Sequence, residues 1–106
     1  MHLIDFLEKS MKETNDDQCL DKECLYCYQE HLEGLKKCCA LSITEKLLFT
    51  KLSLVFVGFE KAMYGEREMN RSRHLQVLRQ DLRSLAPKVF EILQRIYSEN
   101  QNLNIT

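Results

Sequence analysis

The sequence predicts an all-α protein, a bundle of four helices whose last helix is kinked or split near Pro87, giving five segments if split. Three observations support this fold class. Apolar residues recur at steps of three and four along most of the chain, which is the spacing of one helix face. The 106 residues include one proline and three glycines, which argues against many turns and short strands. A Ser-x-x-Glu capping box marks the start of the most apolar helix.

Length and composition fit a single globular domain. Hydrophobic residues make up 44% of the chain and charged residues 29%, a balance typical of a folded domain rather than a disordered chain. We place the domain at residues 1–98 and a frayed polar tail at residues 99–106. The most apolar stretch, residues 47–59, contains a lysine and would span about 20 Å as a helix, short of the ~30 Å hydrocarbon core of a bilayer. We therefore expect no membrane span.

The first two helices are separated by a polar turn. The first is predicted from Leu3 to about Lys12, because its apolar residues share one face, and residues 14–18 are predicted to form the turn. Asp21 is the predicted N-cap of the second helix. The apolar seam of that helix is Leu25, Tyr28, Leu32, Leu35 and Cys39.

The third helix has the best-marked start. Ser42 and Glu45 match the capping box, and we expect the helix to end at Gly65 in the left-handed C-cap conformation. Apolar residues lie on every side between Leu52 and Phe59, which predicts a central helix buried all round. A strand at residues 54–57 is the competing interpretation, but no partner strand is visible in the sequence.

The fourth helix carries two apolar stripes. The first is a regular seam formed by Leu75, Leu78, Leu82, Leu85, Val89, Ile92 and Ile96. Pro87 removes one backbone hydrogen bond, so we expect a kink or a break close to it. The second stripe, rotated away from the seam, is Ala86, Phe90, Leu93 and Tyr97. We predict that Phe90, Leu93 and Tyr97 are exposed and bind a partner, the alternative being that they complete the core against the first helix.

All five cysteines lie between Cys19 and Cys39. The N-terminus has no signal-peptide pattern, so we expect a reducing compartment in which these residues are thiols or metal ligands rather than disulfides. A secreted bundle with disulfides would require a signal peptide and would leave one odd cysteine.

The cysteine-rich segment also raises the question of a zinc site. The candidate ligands are Cys24, Cys27, His31 and Cys38, with Cys19 or Cys39 as replacements for the fourth. In one continuous helix the first and last candidates would lie about 21 Å apart, too far to share an ion. We therefore favour packing thiols and no cofactor, and keep a zinc-stabilised module as the alternative.

Charge is unevenly distributed along a chain whose formal net charge is −1. Residues 1–53 contain seven lysines, no arginine and ten acidic residues, whereas residues 54–106 contain six arginines. Five of these are clustered: Arg67, Arg71, Arg73, Arg79 and Arg83. Such a face could meet phosphates or an acidic partner. A solvated or protein-binding face is favoured, because nucleic-acid-binding domains usually carry a far larger excess of basic residues.

No catalytic motif is present, and the three histidines are scattered. We therefore predict a non-catalytic helical protein–protein interaction module, such as a small subunit or adaptor of an intracellular assembly in the cytoplasm or nucleus. It would bind a protein partner or a second copy through apolar helix faces. Its predicted binding residues are Phe90, Leu93, Tyr97, Arg67, Arg71, Arg79 and Arg83. The alternative is a nucleic-acid-associated or zinc-stabilised helical module.

Overall fold

The structure, a computed structural model, describes residues 2–12, 18–65 and 67–105. Within these ranges the chain forms no strand and four helices: α1 (His2–Met11), α2 (Lys22–Cys38), α3 (Ile43–Tyr64) and α4 (Glu68–Ile105). The predicted all-α fold is confirmed, and the strand considered at residues 54–57 is excluded because those residues belong to α3. The turn predicted at residues 14–18 lies outside the described residues except for Gln18.

The four helices pack side by side as a ring. α1 and α3 each contact both α2 and α4. The hydroxyl of Tyr64, at the end of α3, donates to the carbonyl oxygen of Leu20, just before α2, over 3.1 Å. Arg95, late in α4, forms an ion pair with Glu45 at the start of α3. These contacts show that α3 runs antiparallel to both α2 and α4, as in a four-helix bundle with short connections.

An aromatic cluster at the centre of the bundle joins the three shorter helices. The ring of Phe6 in α1 lies 5.0 Å from that of Tyr28 in α2 and 5.3 Å from that of Phe56 in α3. Phe59 approaches Phe6 edge-on at 6.5 Å. Each tilted or edge-on aromatic pair stabilises the fold by about 0.5–1.5 kcal/mol beyond the contribution of the apolar area that it buries. Because α1 has only 10 residues, its attachment to the bundle depends strongly on Phe6.

The residues before α2 are tied to α1 by side-chain hydrogen bonds. The amide nitrogen of Gln18 donates to the carbonyl oxygen of Phe6 over 2.8 Å and to the hydroxyl of Ser10 over 2.7 Å. Ser10 is buried and itself donates to the Phe6 carbonyl. The Tyr28 hydroxyl donates to the carbonyl oxygen of Cys19. These donors are therefore paired at the edge of the core, whereas Oε1 of Gln18 is buried without a hydrogen-bond partner in the described part of the chain.

The start of α3 is confirmed as predicted. The amide of Glu45 donates to the Ser42 hydroxyl, and the amide of Ser42 donates to the Glu45 carboxylate, so both halves of the capping box are present. At the other end Gly65 is the C-cap, and its amide donates to the carbonyl oxygen of Lys61 over 2.8 Å. Its φ of −116° is right-handed rather than left-handed as predicted, so this cap does not require glycine's freedom at positive φ.

The apolar seam of α2 is buried as predicted. Leu25, Tyr28, Leu32 and Leu35 belong to the core, whereas Cys39 is half-buried and caps the C-terminal end of the helix. Asp21 occupies the predicted N-cap position, but its side chain makes no capping hydrogen bond.

The fourth helix is not split at Pro87. It is one element of 38 residues with the proline inside it. Pro87 is exposed, so the hydrogen bond that its missing N–H would have made falls on the solvent side of the helix. α4 continues to Ile105, and the boundary placed at residue 98 stays a prediction.

Candidate interaction surface

The outward face of α3 carries a row of exposed apolar side chains. Ile43, Leu47 and Leu54, here called the α3 stripe, are 88%, 52% and 63% exposed. Their spacing of four and seven residues places them on one helix face. The prediction that α3 is buried all round is therefore wrong. α2 and α4 cover two sides of α3, and the third side remains exposed in the part of the chain that the structure describes.

A groove between α3 and α4 opens beside the α3 stripe. Its volume is about 400 Å³, and Leu54 belongs to both the groove and the stripe. The groove combines apolar side chains with a few charged or polar ones: Lys51, Leu54, Val55, Leu78, Asp81, Ser84 and Leu85. The stripe and the groove therefore form one continuous surface that offers both a flat apolar face and a recess.

Gly58 permits the close packing of α3 and α4 at this groove. A Cβ atom at position 58 would lie 2.6 Å from Cδ2 of Leu78, closer than real Cβ contacts. Leu78 is buried and also lines the groove. A larger residue at position 58 would displace Leu78, so the shape of the groove depends on glycine here.

Basic side chains border the α3 stripe. The exposed lysines of α3 are Lys46, Lys51 and Lys61. Of the two acidic residues in this helix, Glu45 is paired with Arg95 and only Glu60 is exposed. Arg95 and the Ser42 amide, which both donate hydrogen bonds to Glu45, lower the pKa of its carboxyl group. The outward face of α3 is therefore apolar with positive borders.

The apolar face of α3 is not a membrane span. Among the residues that the structure describes, no helix is both long enough and apolar enough to cross a membrane.

The second stripe of α4 belongs to the core. Ala86 and Leu93 are fully buried, and Phe90 and Tyr97 are half-buried and packed against the core. The prediction that Phe90, Leu93 and Tyr97 are exposed is therefore wrong, and so is the argument that made them a partner-binding surface. α1 packs against α4, which supports the alternative that this stripe completes the core.

Tyr97 makes a specific contact with α2. Its hydroxyl lies 2.8 Å from Nε2 of His31, on the helix opposite α4 in the ring. Burial lowers the pKa of His31, and burial followed by the nearby Cys39 raises the pKa of Tyr97. Both shifts favour the uncharged forms, so the contact is a neutral hydrogen bond near pH 7. Sequence reasoning considered His31 as a surface or packing residue, a weak thiolate partner of Cys27 or a zinc ligand, and did not predict this contact.

The five clustered arginines do not form one solvated face. Arg67, Arg73 and Arg83 are exposed, whereas Arg71 and Arg79 are half-buried. Nε of Arg71 donates to the carbonyl oxygen of Ala62 over 3.2 Å, which fastens α4 to the last turn of α3. Nη1 of Arg79 is buried without a hydrogen-bond partner among the described residues. Arg71 therefore has a packing role in addition to any role in binding.

The start of α4 contains a basic depression. It is open, has a volume of about 520 Å³, and is lined by Gly65, Arg67, Asn70, Arg73, His74 and Val77. Two guanidinium groups and an imidazole at one place would suit an anionic group. This depression and the exposed Arg83 are the parts of the predicted arginine face that remain accessible.

One pair of cysteines departs from the prediction. Cys19 and Cys24 form a disulfide with Cα atoms 6.1 Å apart, so the prediction that all five cysteines are thiols or metal ligands is wrong for this pair. The bond links the segment before α2 to the first turn of that helix. Cys27, Cys38 and Cys39 are free thiols.

The four candidate zinc ligands are not brought together. Cys24 is in the disulfide, His31 contacts Tyr97, and the Sγ atom of Cys38 lies against that of Cys39. In the described ranges no group of three or more His, Cys, Asp or Glu side chains is arranged to hold a metal ion.

Comparisons with protein-family models, curated proteins and solved structures find no match to this chain. The functional interpretation therefore depends on the geometry of the α3 stripe, the groove and the neighbouring charges.

Sequence reasoning missed the α3 stripe although its signal was present. Ile43, Leu47 and Leu54 have helical spacing, but the apolar residues on the other faces, such as Leu52 and Val55, indicated a fully buried helix. The lysines within the same helix were the available hint that one face meets solvent.

Proposed function

We propose that this protein is a non-catalytic protein–protein interaction module and that the α3 stripe with its groove is the binding surface. The observation that carries the proposal is the exposure of Ile43, Leu47 and Leu54 on one face. Grouped apolar side chains of this size on a protein surface usually mark an interface, because burying them against a partner removes apolar area from water. The role of a small subunit or adaptor follows from such a surface.

The partner that suits this surface is an amphipathic helix with an apolar face and acidic borders. The stripe from Ile43 to Leu54 extends over about 16 Å, which three turns of a partner helix would cover. The groove beside Leu54 would receive one large apolar side chain. Lys46, Lys51 and Lys61 would pair with carboxylates at the rim, where charges mainly direct association and register.

A second copy of the chain suits the surface less well. In a two-fold antiparallel pairing centred on the α3 stripe, the two Lys46 side chains would lie on one flank, about 8 Å apart along the helix axis, and the two Lys51 side chains would do the same on the other flank. Like charges placed together at an interface disfavour association. We therefore propose a different, acidic partner rather than a homodimer.

The experiment that tests this function is site-specific photo-crosslinking in the native cell, followed by affinity measurement. A photoreactive phenylalanine replaces Leu47 or Leu54 in turn, and Met69 on α4, an exposed apolar residue outside the stripe and the groove, is the matched control. We expect crosslinks from the two α3 positions to a helical, acidic segment of a partner. With that purified partner, Leu47→Ala combined with Leu54→Ala should weaken binding by at least tenfold, while Met69→Ala leaves it unchanged.

Several outcomes would contradict the proposal. Crosslinks joining two copies of the chain would indicate self-association. Crosslinks that form equally well from Met69 would show that the α3 stripe has no special role. Unchanged melting temperatures of the alanine variants are the control that lost binding is not lost folding.

The nucleic-acid alternative is supported by the basic depression at the start of α4. It predicts binding that weakens steeply with salt and is lost in Arg67→Gln combined with Arg73→Gln. The formal net charge of −1 disfavours it. The intracellular location stays a prediction, and the Cys19–Cys24 disulfide counts against its premise of a reducing compartment.

A further inference from the structure

Two neighbouring thiols lie at the C-terminal end of α2. The Sγ atoms of Cys38 and Cys39 are 2.9 Å apart. Cys38 is exposed, and Cys39 is half-buried against the core. Neither thiol takes part in the α3 stripe or the groove, so the chemistry of this pair is independent of the proposed function.

The backbone changes from helical to extended conformation at this pair. Cys39 has left the helix and adopts an extended conformation, and residues 39–42 form the connection to α3. Adjacent Cα atoms are about 3.8 Å apart, below the ~4.4–6.8 Å usual for a disulfide, so bonding the two sulfurs requires local backbone adjustment. The position at a helix end, rather than inside a helix, allows that adjustment. The strain that remains would make the bond easy to reduce.

We propose that Cys38 and Cys39 form a reversible dithiol site that reacts with low-molecular-weight disulfides of the glutathione type and closes to a Cys38–Cys39 disulfide. The proximity of the two sulfur atoms carries this inference. A second thiolate held this close reacts as an intramolecular nucleophile, which is far faster than attack by another molecule.

The reaction proceeds in two exchanges. The Cys38 thiolate attacks one sulfur of the small disulfide, forming a mixed disulfide and releasing one small thiolate. Cys39 then loses its proton to solvent and attacks Sγ of Cys38, which expels the second small thiolate. Overall, the protein dithiol gives up two electrons and two protons, and the small disulfide is reduced to two thiols. Reduction by excess small thiol reverses both exchanges.

The two thiols differ in a way that fits these roles. The hydrogen bond with Cys38, followed by burial, raises the pKa of the Cys39 thiol to about 11. Cys39 therefore stays protonated at neutral pH, and the more exposed Cys38 is the first nucleophile.

Cys27 provides an internal control. It is also an exposed free thiol, but Cys24, the cysteine one turn away from it, is held in the disulfide with Cys19. Cys27 therefore has no thiol neighbour to displace a mixed disulfide. In the same reaction it should retain one small-thiol adduct.

The test is equilibration of the whole protein in glutathione redox buffers, followed by acid quenching and peptide mapping by mass spectrometry. We expect the peptide with Cys38 and Cys39 to lose two hydrogens and carry no glutathione, while the Cys27 peptide carries one glutathionyl group. Cys39→Ser should abolish the closed form and leave a glutathionyl group on Cys38. Circular dichroism of that variant confirms that the helices are intact.

The proposal would be overturned by any of three results. The first is a wild-type protein that keeps glutathione on Cys38 or Cys39. The second is a pair that remains reduced in buffers that modify Cys27. The third is a disulfide from Cys38 or Cys39 to Cys27, to Cys19 or to a second molecule.

Discussion

The contact between His31 and Tyr97 places a titratable side chain between opposite helices of the bundle. The imidazole Nε2 lies 2.8 Å from the phenol oxygen, and burial lowers the pKa of His31. In the unfolded chain the same imidazole takes up its proton near pH 6.5. The unfolded state therefore binds more protons than the folded state as the pH falls below that value, and the difference must appear in the pH dependence of stability.

We expect His31 to contribute fully to the free energy of unfolding of the wild-type protein above about pH 6.5. This contribution should be lost progressively as the pH falls toward the lower pKa that His31 has in the folded state. His31→Gln, which keeps a hydrogen-bonding side chain but cannot titrate, should show a smaller loss. The measurement is the melting temperature of both proteins across this pH range. An equal loss in His31→Gln would exclude this assignment.

The longest helix of the bundle is buried along two stripes rather than one. Leu82 in the first stripe and Leu93 in the second are both almost completely inaccessible. α3 covers one side of α4, and α1 packs on another. The second stripe, predicted to be free, is therefore part of the core or packed against it.

Leu82→Ala and Leu93→Ala should each lower the free energy of unfolding by about 2–5 kcal/mol, because each removes buried methyl groups and leaves a cavity. Phe90→Ala combined with Tyr97→Ala should also destabilise the protein, since both residues pack against the core. Val77→Ala, at an exposed site on the same helix, should change stability by less than about 0.5 kcal/mol. Chemical denaturation measures all four. A stable Leu93→Ala variant would mean that the second stripe of α4 is not part of the core.

The assembled bundle is elongated, with extents of 54 × 25 × 23 Å. Its length corresponds to that of α4, whose 38 residues span about 57 Å as a helix. The shorter helices are held along it by the core and by cross-links between segments. One of these is covalent, since the Cys19–Cys24 disulfide closes a short loop where the chain enters α2.

Removing this disulfide should lower stability only modestly. For a loop this short, the entropy lost by the unfolded chain corresponds to about 2 kcal/mol. We expect Cys19→Ser combined with Cys24→Ser to keep its helical circular dichroism and to unfold at lower denaturant concentration, while the Cys27→Ser control unfolds as the wild type. Loss of helical structure in the double variant would show that the four helices depend on the bond to assemble.

Much of the helical architecture could be predicted from local sequence patterns. The start of α3 at Ser42 follows from capping chemistry, and the buried seam of α2 follows from helical spacing, whereas α3 ends at the predicted Gly65 without the predicted left-handed cap. These features depend on interactions within a few residues of each other. An exposed apolar stripe was predicted on α4, whereas the structure has one on α3, because both helices carry apolar side chains on more than one face.

Periodicity establishes which residues share a helix face, whereas only the packed bundle decides which face another helix covers. α1 and α3 both pack on α4, and Leu93 is buried, whereas α2 and α4 leave the outward side of α3 open, so Leu54 is exposed. The spacing of Cys19 and Cys24 likewise does not reveal that the loop brings their Cα atoms within 6.1 Å. The contacts between helices join separate segments of the chain, and their free energy depends on the area that assembly removes from water.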